Sequence, residues 1–184
     1  MAAYANVTVD YGARFNKRLK DTHRFSILGT GGVHELTAPL ENVAGMSQKP
    51  WGEIRLSRHG EWWRLHWAAI YSAYGRTPFF EFYEDDFKEI FSHPSESLQD
   101  FNMAIDAAVR GILDIPAPRT NAVGISGEVV DLRTVDVPKL SAAKYYQVWS
   151  SRHGFTPHLS VLDLIFNMGP EAPLILHEIL KESI

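Results

Sequence analysis

The sequence contains no cysteine. That absence excludes disulfides, thiolate metal sites and cysteine nucleophiles together. Long apolar runs are missing too. The longest, residues 67–71 and 173–176, fall far short of the ~20 residues that a membrane helix needs. Met1 to Asp10 carries neither the basic region nor the apolar core of a signal peptide, so secretion is not expected and a cytoplasmic location is the default. An excess of positive charge is likewise lacking: 18 Lys and Arg stand against 22 Asp and Glu, for a net charge of −4. No nucleic-acid or membrane partner is expected on those grounds. Glycine (13) and proline (10) are near average usage, which excludes collagen-like and low-complexity chains.

What remains is a chain of 184 residues, enough for one domain that buries about 70% of its unfolded surface. Val7, Val9 and Tyr11 alternate with Thr8 and Asp10, which predicts a half-buried strand. Phe25 and Ile27 alternate into Gly29-Thr30-Gly31-Gly32 and on to Leu36, Ala38 and Leu40, the pattern of a β-hairpin. Residues 54–58 predict another short strand. The period then changes. Glu61 to Tyr74 reads as a helix ended by Gly75, and Thr77-Pro78 as an N-cap with proline at N1 opening a second helix to about Phe91. Pro94-Ser95 opens a third, with Leu98, Phe101, Ile105, Ala108, Val109 and Ile112 at helical spacing. Residues 119–141 read as loop with strand-like fragments, Val129 to Leu132 the clearest. Helices over about 159–167 and 171–181 flank Gly169-Pro170. The expected architecture is a single α/β domain over 1–184, with α+β as the alternative. Its N-terminal sheet is covered by helices from the middle and end, and Trp63, Trp67, Ile70, Phe80, Tyr83, Ile105, Val109, Leu162 and Phe166 share one core.

Candidate chemistry is sparse. His66 falls on the apolar side of its helix, where it serves either as a hydrogen-bonded core histidine or as a general acid/base. Glu81 stands among four aromatics and, if buried, must be paired or have a raised pKa. Glu84, Asp85 and Asp86 read as a solvated face near a helix start. Asn102 sits on the apolar stripe of the third helix as a structural clamp, with Asp100 a step away as a cap or a cleft residue. Ser160, Asp163 and Asn167 form the one polar stripe of their helix, facing either solvent or a pocket. The run Arg14 to Arg24 gathers Arg14, Lys17, Arg18, Lys20, His23 and Arg24, which either bind an anionic group or form a solvated loop. Gly29-Thr30-Gly31-Gly32 lacks the helix and Gly-Lys-Ser/Thr ending of a phosphate loop. The eight histidines show no metal-ligand spacing, so no metal is expected and no cofactor is implied. Gly124-Ile125-Ser126-Gly127 is not a nucleophile elbow.

Two blocks go further. Residues 57–67, Ser-Arg-His-Gly-Glu-Trp-Trp-Arg-Leu-His-Trp, run on through Ser72-Ala73-Tyr74 to residues 77–83, Thr-Pro-Phe-Phe-Glu-Phe-Tyr. Tyr145 to Trp149 and His153-Gly154-Phe155 lead into residues 159–171, which end Asp-Leu-Ile-Phe-Asn-Met-Gly-Pro-Glu. Both blocks resemble the WbqC-like protein family over most of the chain from Val7 to Leu176, and Asp100-Phe101-Asn102 sits where that family has an Asp-x-Asn element. The resemblance implies a bacterial cytoplasmic protein of surface-polysaccharide (O-antigen) or amino-sugar modification that transfers an acyl or aminoacyl group. There are two departures: the family's Pro/Tyr/Phe-rich start is missing, and its Lys-x-Ser/Thr-x-x-Asn-Arg stretch appears only loosely over 17–24.

The expected site follows. His66 acts as acid/base with Glu81 or Asp163 as its orienting carboxylate. Asp100 and Asn102 position the substrate, Lys17 and Arg24 hold its phosphate or carboxylate, and Asn167 completes a substrate-binding line. The expected partner is a small molecule of the sugar-nucleotide kind. The competing class is a non-catalytic small-molecule-binding or assembly protein, a truncated family member, in which the same residues are buried clamps.

Overall fold

Alternation around a glycine-rich turn builds the sheet. In the computed structural model, which describes residues 7–42, 44–119 and 143–181, β1 (Arg24–Gly29) and β2 (Gly32–Thr37) pair antiparallel. The register runs from Arg24 opposite Thr37 to Gly29 opposite Gly32, leaving Thr30-Gly31 as the turn. Gly32 closes it at φ 108°, a conformation that a side chain would strain. β1 is the inner strand, with Ile27 and Leu28 buried, while β2 is largely exposed.

The other two expected strands do not form ladders. Thr8 makes a lone parallel bridge to Arg119, and Leu40–Leu56 and Arg55–Ser97 are single antiparallel bridges. Ile54 and Leu56 are buried and Arg55 is exposed, so the alternation is real. It records burial, because the neighbouring segments are loops that offer no continuous partner. The strand-like 129–132 fragment lies outside the described residues.

The helices are α1 (Trp62–Tyr74), α2 (Phe80–Ser92), α3 (Leu98–Leu113), α4 (Ser150–His153), α5 (Val161–Met168) and α6 (Ala172–Lys181), of which α1 and α5 pack on the inner strand and α2 packs on both of them. A 3-10 turn at His59–Glu61 leads into α1 through Gly60 at φ 76°. Helix α2 starts later than Thr77-Pro78 suggests. The Thr77 hydroxyl and amide both donate to the Tyr74 carbonyl, at 2.7 and 2.8 Å, so Thr77 closes the end of α1 and caps nothing. Ser97 and Ser160 are true caps, accepting from the amides of Asp100 and Leu162.

All nine expected core residues join one apolar cluster. Trp63, Ile70, Phe80, Leu162 and Phe166 are buried, with Trp67, Tyr83, Ile105 and Val109 packed against them. Phe166 lies at its centre, with ring centroids 4.9 Å from Phe80, 5.4 Å from Tyr74 and 5.7 Å from Phe87. The Gly169 turn is part of this packing: its φ is +53°, and a Cβ there would sit 2.4 Å from the Phe79 ring. The sheet of this α/β domain is thus a single hairpin laid on helices from the middle and end of the chain.

Candidate functional site

Where β1 leaves the turn before it, α3 and the start of α5 stand apart from it and enclose a cleft of about 300 Å³. Two hydrogen bonds fix the spacing. Asn102 Nδ2 donates to the Thr22 carbonyl at 2.8 Å, tying α3 to one end, and the Ser160 amide donates to the Ser26 carbonyl at 2.8 Å, tying α5 to β1. Phe25, Phe91, Phe101, Ile105, Val109 and Leu162 make an apolar floor. Asp21, Thr22, His23, Arg24, Asn102 and Asp106 make a polar lip. An apolar hollow with few convergent polar groups is the usual form of a small-molecule site.

Arg24 is the informative lip residue. Its Nη1 donates to Glu35 at 2.7 Å across the hairpin. Its Nε is buried and has no hydrogen-bond partner among the described residues. A buried guanidinium N–H without an acceptor costs free energy until one arrives. Asp106, the nearby acid, is engaged by Arg110 at 2.7 Å.

By sequence His23 belongs with the cations of the run, yet the fold favours its neutral form. Burial pushes its pKa down, the charges of Arg24 and Lys20 add to this, and Glu35 opposes it. The Thr22 hydroxyl donates to the Leu19 carbonyl at 2.8 Å, so its 3.0 Å contact with His23 Nδ1 places the ring proton on Nδ1. Nε2 then carries the free lone pair.

The remaining expected residues are elsewhere. His66 is buried inside an aromatic box, with ring centroids 5.0 Å from Trp62, 5.9 Å from Phe25 and 6.4 Å from Phe91. Burial lowers its pKa to about 4, against the pull of the Thr37 backbone, so the ring is neutral. Its Nδ1 has no partner among the described residues. Glu81, expected among aromatics, is exposed on α2, because the rings of Phe80 and Phe87 turn inward and leave it on the outer face. It does not line the cleft. Asp100 is exposed in the first turn of α3, and Lys17 is exposed in the loop before β1. Neither lines the cleft.

Asp163 and Asn167 face inward, where they organise the segment before α4. Asp163 Oδ2 accepts from Tyr145 Oη and from Gln147 Nε2, each at 2.8 Å. Burial pushes the Asp163 carboxyl up, while bonds from Tyr145, Gln147 and Tyr74 pull it back. Asn167 Oδ1 accepts from the Val148 amide at 2.9 Å, and its Nδ2 donates to the Asp163 carbonyl at 2.7 Å. Gln147, fully buried, spans the gap to Thr156 through both ends of its amide. Asp163 and Asn167 of the polar stripe therefore face protein, while Ser160, which caps α5, lines the cleft. Of the expected site residues, only Arg24 and Asn102 line the cleft.

Sequence reasoning missed the floor because Phe91, Ile105, Val109 and Leu162 read as ordinary core. The run of cations ending at Arg24 and the amide of Asn102 on the apolar stripe of α3 were the signals that pointed to this place. Among the described residues, no group of three or more His, Asp or Glu is placed to hold a metal, and no helix is long and apolar enough to cross a membrane.

No curated protein and no solved structure matches the chain. A family model does match, over residues 13–146. That span holds the tryptophan-rich block of α1, the Asp100-Phe101-Asn102 element and both the strand and the α3 wall of the cleft, and it stops at the start of the second block. With most of its length matched by that model, the chain belongs to the WbqC-like protein family.

Proposed function

We propose that the chain binds an anionic small molecule in the Arg24 cleft and acts as a cytoplasmic transferase of bacterial surface-polysaccharide or amino-sugar modification, moving an acyl or aminoacyl group. The observation that carries this reading is the buried, unpartnered Nε of Arg24 at the lip of an apolar hollow. The Arg24 side chain is 33% exposed, so a phosphate or carboxylate oxygen meets it at the lip, and a turn of the guanidinium toward that charge gives the Nε its acceptor. Asn102 gives one of its two amide N–H groups to Thr22, and that bond sets the cleft's width.

In such a transfer the sugar amine attacks the acyl carbonyl carbon, the leaving group departs, and the amine sheds a proton. His23 Nε2, neutral and at the lip, is the base available to take it. His66 supports the wall through Phe25 and Phe91 and has no path to a substrate. Asp163 and Asn167, as clamps, favour the second reading of a binding protein without chemistry, which shares the same cleft.

Calorimetry with UDP-N-acetylglucosamine tests the site. Arg24→Ala should weaken binding about tenfold or more, the worth of a charged hydrogen bond, while exposed Lys17→Ala leaves it unchanged. Equal affinity for Arg24→Ala and wild type, or no binding at millimolar ligand, removes the reading.

A further inference from the structure

Nothing in the lip explains why the hollow beneath it is apolar. Phe25, Phe91, Phe101, Ile105, Val109 and Leu162 present no hydrogen-bonding side chain, so a bare sugar placed there would leave its hydroxyls unpaired. A planar base fits no better. Phe91 and Phe101 meet edge to face at 87°, and Phe25 and Phe91 are tilted by 54°, so these ring pairs offer no parallel plates to sandwich a flat ring. Its edges would also lack polar partners.

A flexible aliphatic chain suits both features, since it needs only area and bends around tilted rings. Its size follows from the cavity. The cleft's volume of about 300 Å³ covers lip and floor together, so it bounds the ligand at roughly ten groups of about 30 Å³, head group included. An eight-carbon carboxylate has that many heavy atoms.

We propose that the floor of the cleft is an aliphatic acyl site, which takes a medium-length straight chain with its charged or oxygen-bearing end at Arg24. The inference rests on the reading of the cleft as the substrate site and names the group that is held there. Asp21 and Asp106 also line the lip; Asp106 is engaged by Arg110 and Arg24 Nη1 by Glu35, so the head group must be held by the rest of the Arg24 guanidinium against the charge of Asp21. The chain is buried against Ile105 and Val109 of α3 and Leu162 of α5, and the remainder of a donor or product lies outside the lip.

The probes are butanoate, hexanoate, octanoate, decanoate and dodecanoate, with octan-1-ol as the uncharged control, titrated below micelle formation by calorimetry. Affinity should rise about fourfold per methylene and level off near eight to ten carbons. Octan-1-ol should bind at least tenfold more weakly than octanoate, and Arg24→Ala should erase that difference. Val109→Phe, which narrows the floor, should move the plateau to shorter chains. Should that variant not fold, the wild-type series decides, with octanoate expected to shift the Asn102 side-chain amide resonances.

Equal affinity across the series, the behaviour of a bare anion site, overturns the proposal. So does affinity that climbs steadily through dodecanoate without moving Asn102, which is surface association. The two readings fail separately. Binding of UDP-N-acetylglucosamine without octanoate binding removes the acyl site alone, and the reverse removes the sugar-nucleotide reading alone.

Discussion

His66 is the residue whose titration the fold changes most clearly. An unfolded histidine takes a proton near pH 6.5, whereas in the Trp62, Phe25 and Phe91 box the pKa is lowered to about 4. Between those values the unfolded chain binds more protons than the folded one, so stability rises with pH. The benefit of a neutral His66 is complete above about pH 6.5 and is lost as pH falls toward 4. Between about pH 7.5 and about pH 5 this loss amounts to about 2 kcal/mol. His23 shifts in the same sense and Asp163 in the opposite one, so the effect must be isolated by substitution. His66→Phe keeps the ring contacts and removes the proton. Urea unfolding at the two pH values should therefore show wild type losing about 2 kcal/mol more than the variant. Equal losses would place His66 in contact with water.

At the scale of elements, α5 is an anchor as much as a core helix. Its Asn167 holds the Val148 amide and its Asp163 holds Tyr145 and Gln147, so two side chains one turn apart fix the segment before α4. Asn167→Ala leaves the Val148 amide without that acceptor and should cost about 1–3 kcal/mol. Limited proteolysis should then cut between about 143 and 158 well before α1 or α5. An unchanged digestion pattern would show the segment is held by Trp149, whose indole donates to the Ala73 carbonyl at 2.9 Å. This is also where the sequence was least legible. The hairpin, the helices and the buried side of α1 follow from local period, which a side chain carries in its own neighbourhood. Whether Asp163 and Asn167 meet water or protein depends on a segment some twenty residues earlier, and spacing within α5 is the same in both cases. Glu81 failed for the same reason. Flanking aromatics say that a helix has a buried face, and only the partners decide which residue lies on it.

The whole molecule is bound together by contacts that ignore chain order. Ile27 and Ala38 of the hairpin region share one apolar cluster with Phe80 and Phe91 of α2 and with Leu162 and Phe166 of α5. The Leu28 amide donates to Tyr74 Oη at 3.2 Å, and the Ser160 amide to the Ser26 carbonyl at 2.8 Å, so first-third, middle and last-third elements bond directly. A lone two-stranded hairpin is marginal in water, and β2 is mostly exposed, so the hairpin has no means of persisting once the helices leave. The helices in turn lose Ile27 and Leu28 if the hairpin goes. Neither part survives the other, and unfolding should be one cooperative transition. Scanning calorimetry should give equal calorimetric and van't Hoff enthalpies, with a total of about 130 kcal/mol at about 0.7 kcal/mol per residue. A van't Hoff enthalpy well below the calorimetric one, or a second peak, would mean that the hairpin and helices unfold separately. The cleft between them would then be an interface that opens before the fold is lost, and Arg24 would no longer be held at its lip.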